Sequence, residues 1–305
     1  MNWLKKLFLN RNFILIMAVV LGLAVGDWAV YLKKITFYVL AVVMTFSTTG
    51  ISTRSLFPLK KIVKPFLTGI LLNYFVFGTV CITAAWLLMP DKELFYGFVV
   101  IAATPPGVAI IPFSGILKGD LKYSIIGVLG AFLASVILAP LMVGIFAGSD
   151  NVNTLHLFFL MLWLIIVPML VSRLLLYKKI FPAVSKIRGK VVDWGFAIII
   201  YTAVGLNRDV FFSDFRILLL SSLVLFISVF LLGTIYEVTA KKILHNQQII
   251  MSQTLLVTVK SSGVSVVMAL SLFGTTAAIP SAIMAVFVLL YLLYLSFRIE
   301  LKKRK

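Results

Sequence analysis

The sequence predicts an all-α polytopic membrane protein with ten transmembrane helices. Three observations carry that expectation. First, 62% of the 305 residues are hydrophobic and only 12% are charged, whereas a soluble domain of this size needs a more charged surface. Second, apolar stretches of about 20 residues, long enough to cross the hydrocarbon core, recur along the whole chain. Third, the basic residues gather in short stretches between those segments, as they do in proteins that orient by the positive-inside rule.

Each span follows from an apolar run bounded by charges or turn residues. The runs lie at 13–31, 35–52, 64–89, 93–117, 122–148, 154–176, 189–207, 215–238, 248–272 and 276–297. The first follows Lys5, Lys6 and Arg11 and could be mistaken for a signal peptide. It is too long for one and lacks a small-x-small cleavage site, so it reads as the first helix. The 35–52 run is short and depends on where Lys33 and Lys34 sit.

Charge tests the count. With ten spans both termini share a side, and 22 basic residues fall there: 5, 6 and 11; 54, 60, 61 and 64; 118 and 122; 173, 178, 179, 186, 188 and 190; 241 and 242; 298 and 302–305. Only five (Lys33, Lys34, Lys92, Arg208 and Arg216) fall on the other. This split predicts an integral inner or plasma membrane protein with cytoplasmic termini. It also accounts for the net charge of +18 without nucleic acid. No separate soluble domain is visible. The single cysteine, Cys81, excludes an internal disulfide and a cysteine metal cluster. His156 and His245 lie near span ends, so no metal or cofactor is expected.

Five spans per half would make 151–305 an inverted repeat of 1–150. Two faint echoes fit: "TTGISTRSL" (48–56) with "AVGLNRDVF" (203–211), and "TPPG" (104–107) with "KSSG" (260–263), at nearly one offset. The second pair is the more informative. Pro105, Pro106 and Gly107, with Pro112 following, must interrupt a helix at membrane depth, where a freed backbone group finds no water. Ser261, Ser262 and Gly263 mark a partner break. Paired interruptions in inverted halves point to a transporter site. A kink serving packing alone is the alternative.

These segments resemble the bile acid:sodium symporter family. "ATPPGVAIIPFSGILKGDLKYS" (103–124) is similar to the family's broken fourth helix, "TVKSSGVSVVMALSLF" (258–273) to its broken ninth, and "GILLNYFVFG" (69–78) to its third, with Asn73 at a polar position. The resemblance implies a core and a panel domain, with helices four and nine crossing at unwound centres, and alternating-access transport of a small or amphipathic organic anion. It also implies departures. The family's sodium-binding Ser-Asn pair falls on Ile110 and Ile111, a threonine on Val128, and the ninth-helix glutamate on Leu256; only Ser124 matches a family serine. A hard cation needs oxygen ligands that Ile, Val and Leu cannot supply. The family's glutamine becomes Lys260 and its asparagine Ser261.

Lys260 is the one basic residue outside the loops. About 12 residues from either end of its span, it lies roughly 18 Å from both and cannot snorkel out. No Asp or Glu is expected at its depth, so it either serves function or is tied to helix-end carbonyls. As a functional group it can stand in for sodium, giving sodium-independent transport, or carry a coupling proton. In either case Lys260→Ala is expected to abolish transport without unfolding the protein.

The expected binding set is Lys260, Asn73, Thr104, Pro105, Pro106, Gly107, Ser114, Ser124, Thr258, Ser261, Ser262 and Gly263. Thr254, Thr258, Ser261 or Ser262, and Ser265 form a polar stripe that serves either binding or small-residue packing. Asn73 is either a neighbour of Lys260 or interhelical glue. Lys118-Gly119-Asp120 reads as a cap. No nucleophile–base set or phosphate loop suggests an enzyme. The partners expected are the anion, the bilayer and, if Lys260 titrates, a proton. Rival readings are an arsenite- or auxin-type efflux carrier of related fold, or a non-transporting sensor or scaffold.

Overall fold

The computed structural model describes residues 11–50, 62–148 and 154–304. Lys5, Lys6, Arg54, Lys60, Lys61, Asp150, Lys305 and the latter half of the TTGISTRSL echo lie outside the described residues.

The described residues are mostly helical, and the β structure among them is one isolated antiparallel bridge between Pro106 and Lys260. Helix α1 (Arg11–Ala24) ends at Val25 and a 3-10 turn leads to α2 (Ala29–Lys33). α3 is Thr36–Thr48, and α4 runs Val63–Leu88. α5 (Lys92–Ala103) and α6 (Ile110–Ile116) flank the first break. α7 (Leu121–Ala147), α8 (Leu155–Leu175) and α9 (Phe181–Leu206) follow. After α10 (Arg208–Ser213) comes α11 (Phe215–Ile243). α12 (Gln247–Thr258) and α13 (Ser262–Leu272) flank the second break, and α14 (Thr275–Arg304) closes the chain.

Six of these helices, α4, α7, α8, α9, α11 and α14, are long and apolar enough to cross a membrane on their own. They coincide with six of the expected spans, with corrections at the ends. α9 begins at Phe181, upstream of the expected 189, because Pro182 stands in its first turn, where a missing N–H costs nothing. α11 continues past 238 to Ile243. The stretch expected as the first span is not straight: Phe13–Ala24 and Gly26–Lys33 meet at 93°. α3 ends at Thr48, short of the expected 52.

Close helix packing rests on missing side chains. A Cβ on Gly69 of α4 would stand 2.2 Å from the Gly127 carbonyl oxygen of α7, so backbones touch there. At the bend after α1, a Cβ on Gly26 would lie 2.9 Å from the Cα of Gly205 on α9. α9 packs along α1 and α3, while α5 packs against α4, α7 and α14. Within α4, residues Leu71–Val76 form a π turn, as do Leu162–Ile166 in α8 and Phe226–Leu231 in α11.

Candidate substrate and cation site at the paired helix breaks

Sequence dictates the first break. Pro105 and Pro106 have no N–H, and proline drives the preceding residue out of the helical region. Thr104 is accordingly extended (φ −72°, ψ 154°). At the second break Val259 (φ −94°, ψ 98°) and Ser261 (φ −84°, ψ 90°) are extended as well. The two extended pieces satisfy each other. The Gly107 N–H donates to the Val259 carbonyl at 2.9 Å, and the Ser261 N–H to the Pro105 carbonyl at 3.1 Å. Backbone groups that lipid could not satisfy are therefore paired at the crossing. The expected juxtaposition of 104–107 with 260–263 is present.

Lys260 is 2% exposed. Its ammonium donates to the carbonyls of Ala102 (3.0 Å), Thr104 and, at 3.4 Å, Asn73. The rings of Tyr74 and Phe77 each lie 5.1 Å from Nζ, within cation–π reach. The Ala102 and Thr104 carbonyls sit at the C-terminal end of α5, where carbonyls lack helix partners and the dipole is negative. Helix-end carbonyls thus take the charge, and among the described residues no carboxylate is its partner. Asn73 is both neighbour and glue: its Nδ2 donates to the Thr104 carbonyl at 3.2 Å, while its buried Oδ1 has no partner. Ile110, Val128 and Leu256 are fully buried apolar side chains. The ammonium's partners come instead from positions 73, 102 and 104.

The polar stripe resolves into separate roles. Thr258 donates to the Thr254 carbonyl (2.7 Å), Thr254 to Ile250 (2.9 Å) and Ser265 to Ser262 (2.9 Å), so these hydroxyls are used within their own helical segments. Thr104 Oγ1 likewise donates to Ile101. Ser261 differs: it is the N-cap of α13, its Oγ is buried, and that oxygen makes no hydrogen bond. A Cβ on Gly263 would come 2.7 Å from Phe196, so the glycine is a packing requirement.

Ser114 and Ser124 do not join Lys260. Their hydroxyls meet each other at 2.8 Å, and Ser252 stands 3.4 Å from Ser114 while donating to the Asp120 carbonyl at 3.0 Å. Beside them Gln253 donates to Tyr123 (2.7 Å) and accepts from Tyr236 (2.9 Å). Asp120 caps α7 by accepting the Tyr123 N–H, as the Lys118-Gly119-Asp120 turn implied. Sequence reasoning missed Tyr74, Phe77, Ser252, Gln253, Tyr123 and Tyr236. The i,i+4 spacing of Asn73 and Phe77 was the one available signal, since it puts a ring on the face of a buried polar residue.

A cleft of about 540 Å³, counted with its open mouth, lies against the crossing. Its floor is Gly107, Val108, Ala109 and residues 259–262. Its walls come from Leu15 of α1, Phe196 and Ile200 of α9, and Ala285, Val288, Leu289 and Leu292 of α14. Leu15, Ile200, Ala285 and Leu289 also line a neighbouring apolar groove with Ile16, Val19, Val20 and Val286, so the two adjoin. Cys81 is buried on α4 and does not line the cleft.

Six membrane-length helices, together with two interrupted helices that pair at their breaks, mark an integral membrane protein. The model of the sodium bile acid symporter family matches residues 37–214, more than half of the chain, and the chain belongs to that family. The protein is therefore a transporter of the bile acid symporter type, a class whose members are not enzymes. The matched stretch contains the first break and ends before the second. A comparison with curated proteins gives no match.

Proposed function

We propose that the protein is a secondary transporter of small or amphipathic organic anions, working by alternating access without sodium. The observation that carries this is the cleft at the crossing. It is lined by Ser261 and Ser262 at the N-terminus of α13, where the first backbone N–H groups have no helix partner and the dipole is positive. The unpartnered Ser261 Oγ adds a hydroxyl. An anionic headgroup fits this end, and the apolar walls suit an organic body. Gly107, Val108 and Ala109 contribute backbone to the floor.

In this reading the chain crosses the membrane ten times, as two inverted halves, 1–150 and 151–305, with both termini cytoplasmic. The bent α1–α2 pair, α3 and the two broken helices supply the four crossings beyond the six long helices. α1, α3 and α9 belong to a panel that moves against a core holding the crossing. Sodium independence rests on two features: the apolar residues at 110, 111, 128 and 256, and the ammonium of Lys260 at the break. An arsenite-type carrier is disfavoured because the single thiol, Cys81, does not line the cleft.

The test is flux. Purified protein in proteoliposomes is offered a panel of labelled carboxylates and sulfonates, with wild type compared against protein-free vesicles. Uptake of at least one anion that saturates and persists in choline medium is the expected result. No saturable flux for any anion would favour the sensor or scaffold reading.

A further inference from the structure

We propose that the oxygens around Lys260 form a monovalent-cation site that the protein keeps permanently filled with its own ammonium. The proposal deepens the sodium-independent reading above and rests on it only for the site's role in transport. The geometry is that of cation coordination. Main-chain carbonyls of Asn73, Ala102 and Thr104 converge on Nζ from two helices, and the rings of Tyr74 and Phe77 face it. Three donors of an ammonium meet three acceptors. On the same α4 turn, Asn73 Oδ1 is fully buried with no donor, a further oxygen beside the cage.

The chemistry selects the class of ligand. The cage offers neutral carbonyls and π faces and no carboxylate, so a divalent ion would lack the charge compensation it normally takes. A single positive charge matches the negative end of α5. A π turn at Leu71–Val76 places both the Asn73 carbonyl and the Tyr74 ring toward this point, and such turns occur often at functional sites.

A tethered ion differs from a free one in one respect: it cannot leave. The site therefore neutralises the break in every state of the transport cycle and contributes no cation to the stoichiometry. Removing the ammonium should leave the carbonyls exposed to an incoming ion. Loss of partners for several buried acceptors also means that Lys260→Ala carries a stability cost, which the sequence alone did not indicate.

The experiment reads stability and needs no flux. Thermal unfolding of purified wild type, Lys260→Ala and Lys260→Met is followed in choline chloride. Sodium, potassium, ammonium or methylammonium chloride is then substituted at constant ionic strength. Wild type should be indifferent to the exchange. Lys260→Ala should unfold at a lower temperature in choline and recover by about 2–4 °C or more in at least one small cation. Lys260→Met, whose stem fills the cage without charge, should stay low in every salt. A wild type stabilised by sodium over choline would overturn the proposal, as would a Lys260→Ala protein as stable as wild type in choline or unresponsive to all four cations. Should Lys260→Ala not be recoverable, Lys260→Met decides: stability equal to wild type refutes the need for charge, and lower stability in all salts upholds it. A protein without anion flux would refute the transport reading and leave this result standing.

Discussion

Ser261 separates binding from folding more cleanly than any other side chain at the crossing, because its hydroxyl makes no internal bond. Ser261→Ala should therefore keep its thermal stability within about 0.5 kcal/mol of wild type. It should raise the half-saturation concentration for the transported anion roughly 3- to 10-fold, the worth of one hydrogen bond. Unchanged half-saturation in proteoliposome uptake would remove the hydroxyl from the site. Lys260→Arg should impair uptake, since a planar guanidinium does not fit three carbonyls arranged around a compact ammonium. At this scale the sequence is eloquent where a residue is out of place: a lysine among apolar neighbours and an asparagine at mid-helix both announce themselves. It is silent on Ala102, which acts through a carbonyl that every residue has, and on the fact that Thr104, expected in the set, meets Lys260 through its carbonyl and not its hydroxyl. It is silent too on Ser252, Gln253, Tyr123 and Tyr236, whose meeting depends on α7, α11 and α12 coming together.

Among the elements, the two broken helices were legible because proline and glycine leave a local trace. The reciprocal bonds between them were not, since pairing across such a sequence separation has no local cause. The π turns in α4, α8 and α11 were equally invisible, as their sequences are ordinary apolar helix. The seam of α4 and α7 offers a direct test. Gly69→Ala would put a methyl 2.2 Å from the Gly127 carbonyl oxygen, forcing the helices apart. We expect a loss of about 1–3 kcal/mol, seen as a lower unfolding temperature in detergent. At Gly115, where an added Cβ meets nothing within 4 Å, an alanine should be tolerated far better. Equal losses at the two positions would show that the helices do not touch at Gly69.

For the molecule as a whole, uptake should survive replacement of sodium by choline, and an anion flux that vanishes on that exchange would end the sodium-independent reading. Membrane-impermeant labelling of single cysteines placed near each terminus should report both on the cytoplasmic side, as the charge split requires. The crossing has one more consequence, in the time domain. Gly107 and Ser261 hold each other's segments through Val259 and Pro105, so the two amides are expected to open together. Amides from opposite halves of the chain should therefore exchange with deuterium at a common rate. That rate should be far slower than in the solvent-facing turns, because hydroxide reaches them only when the whole crossing unlatches.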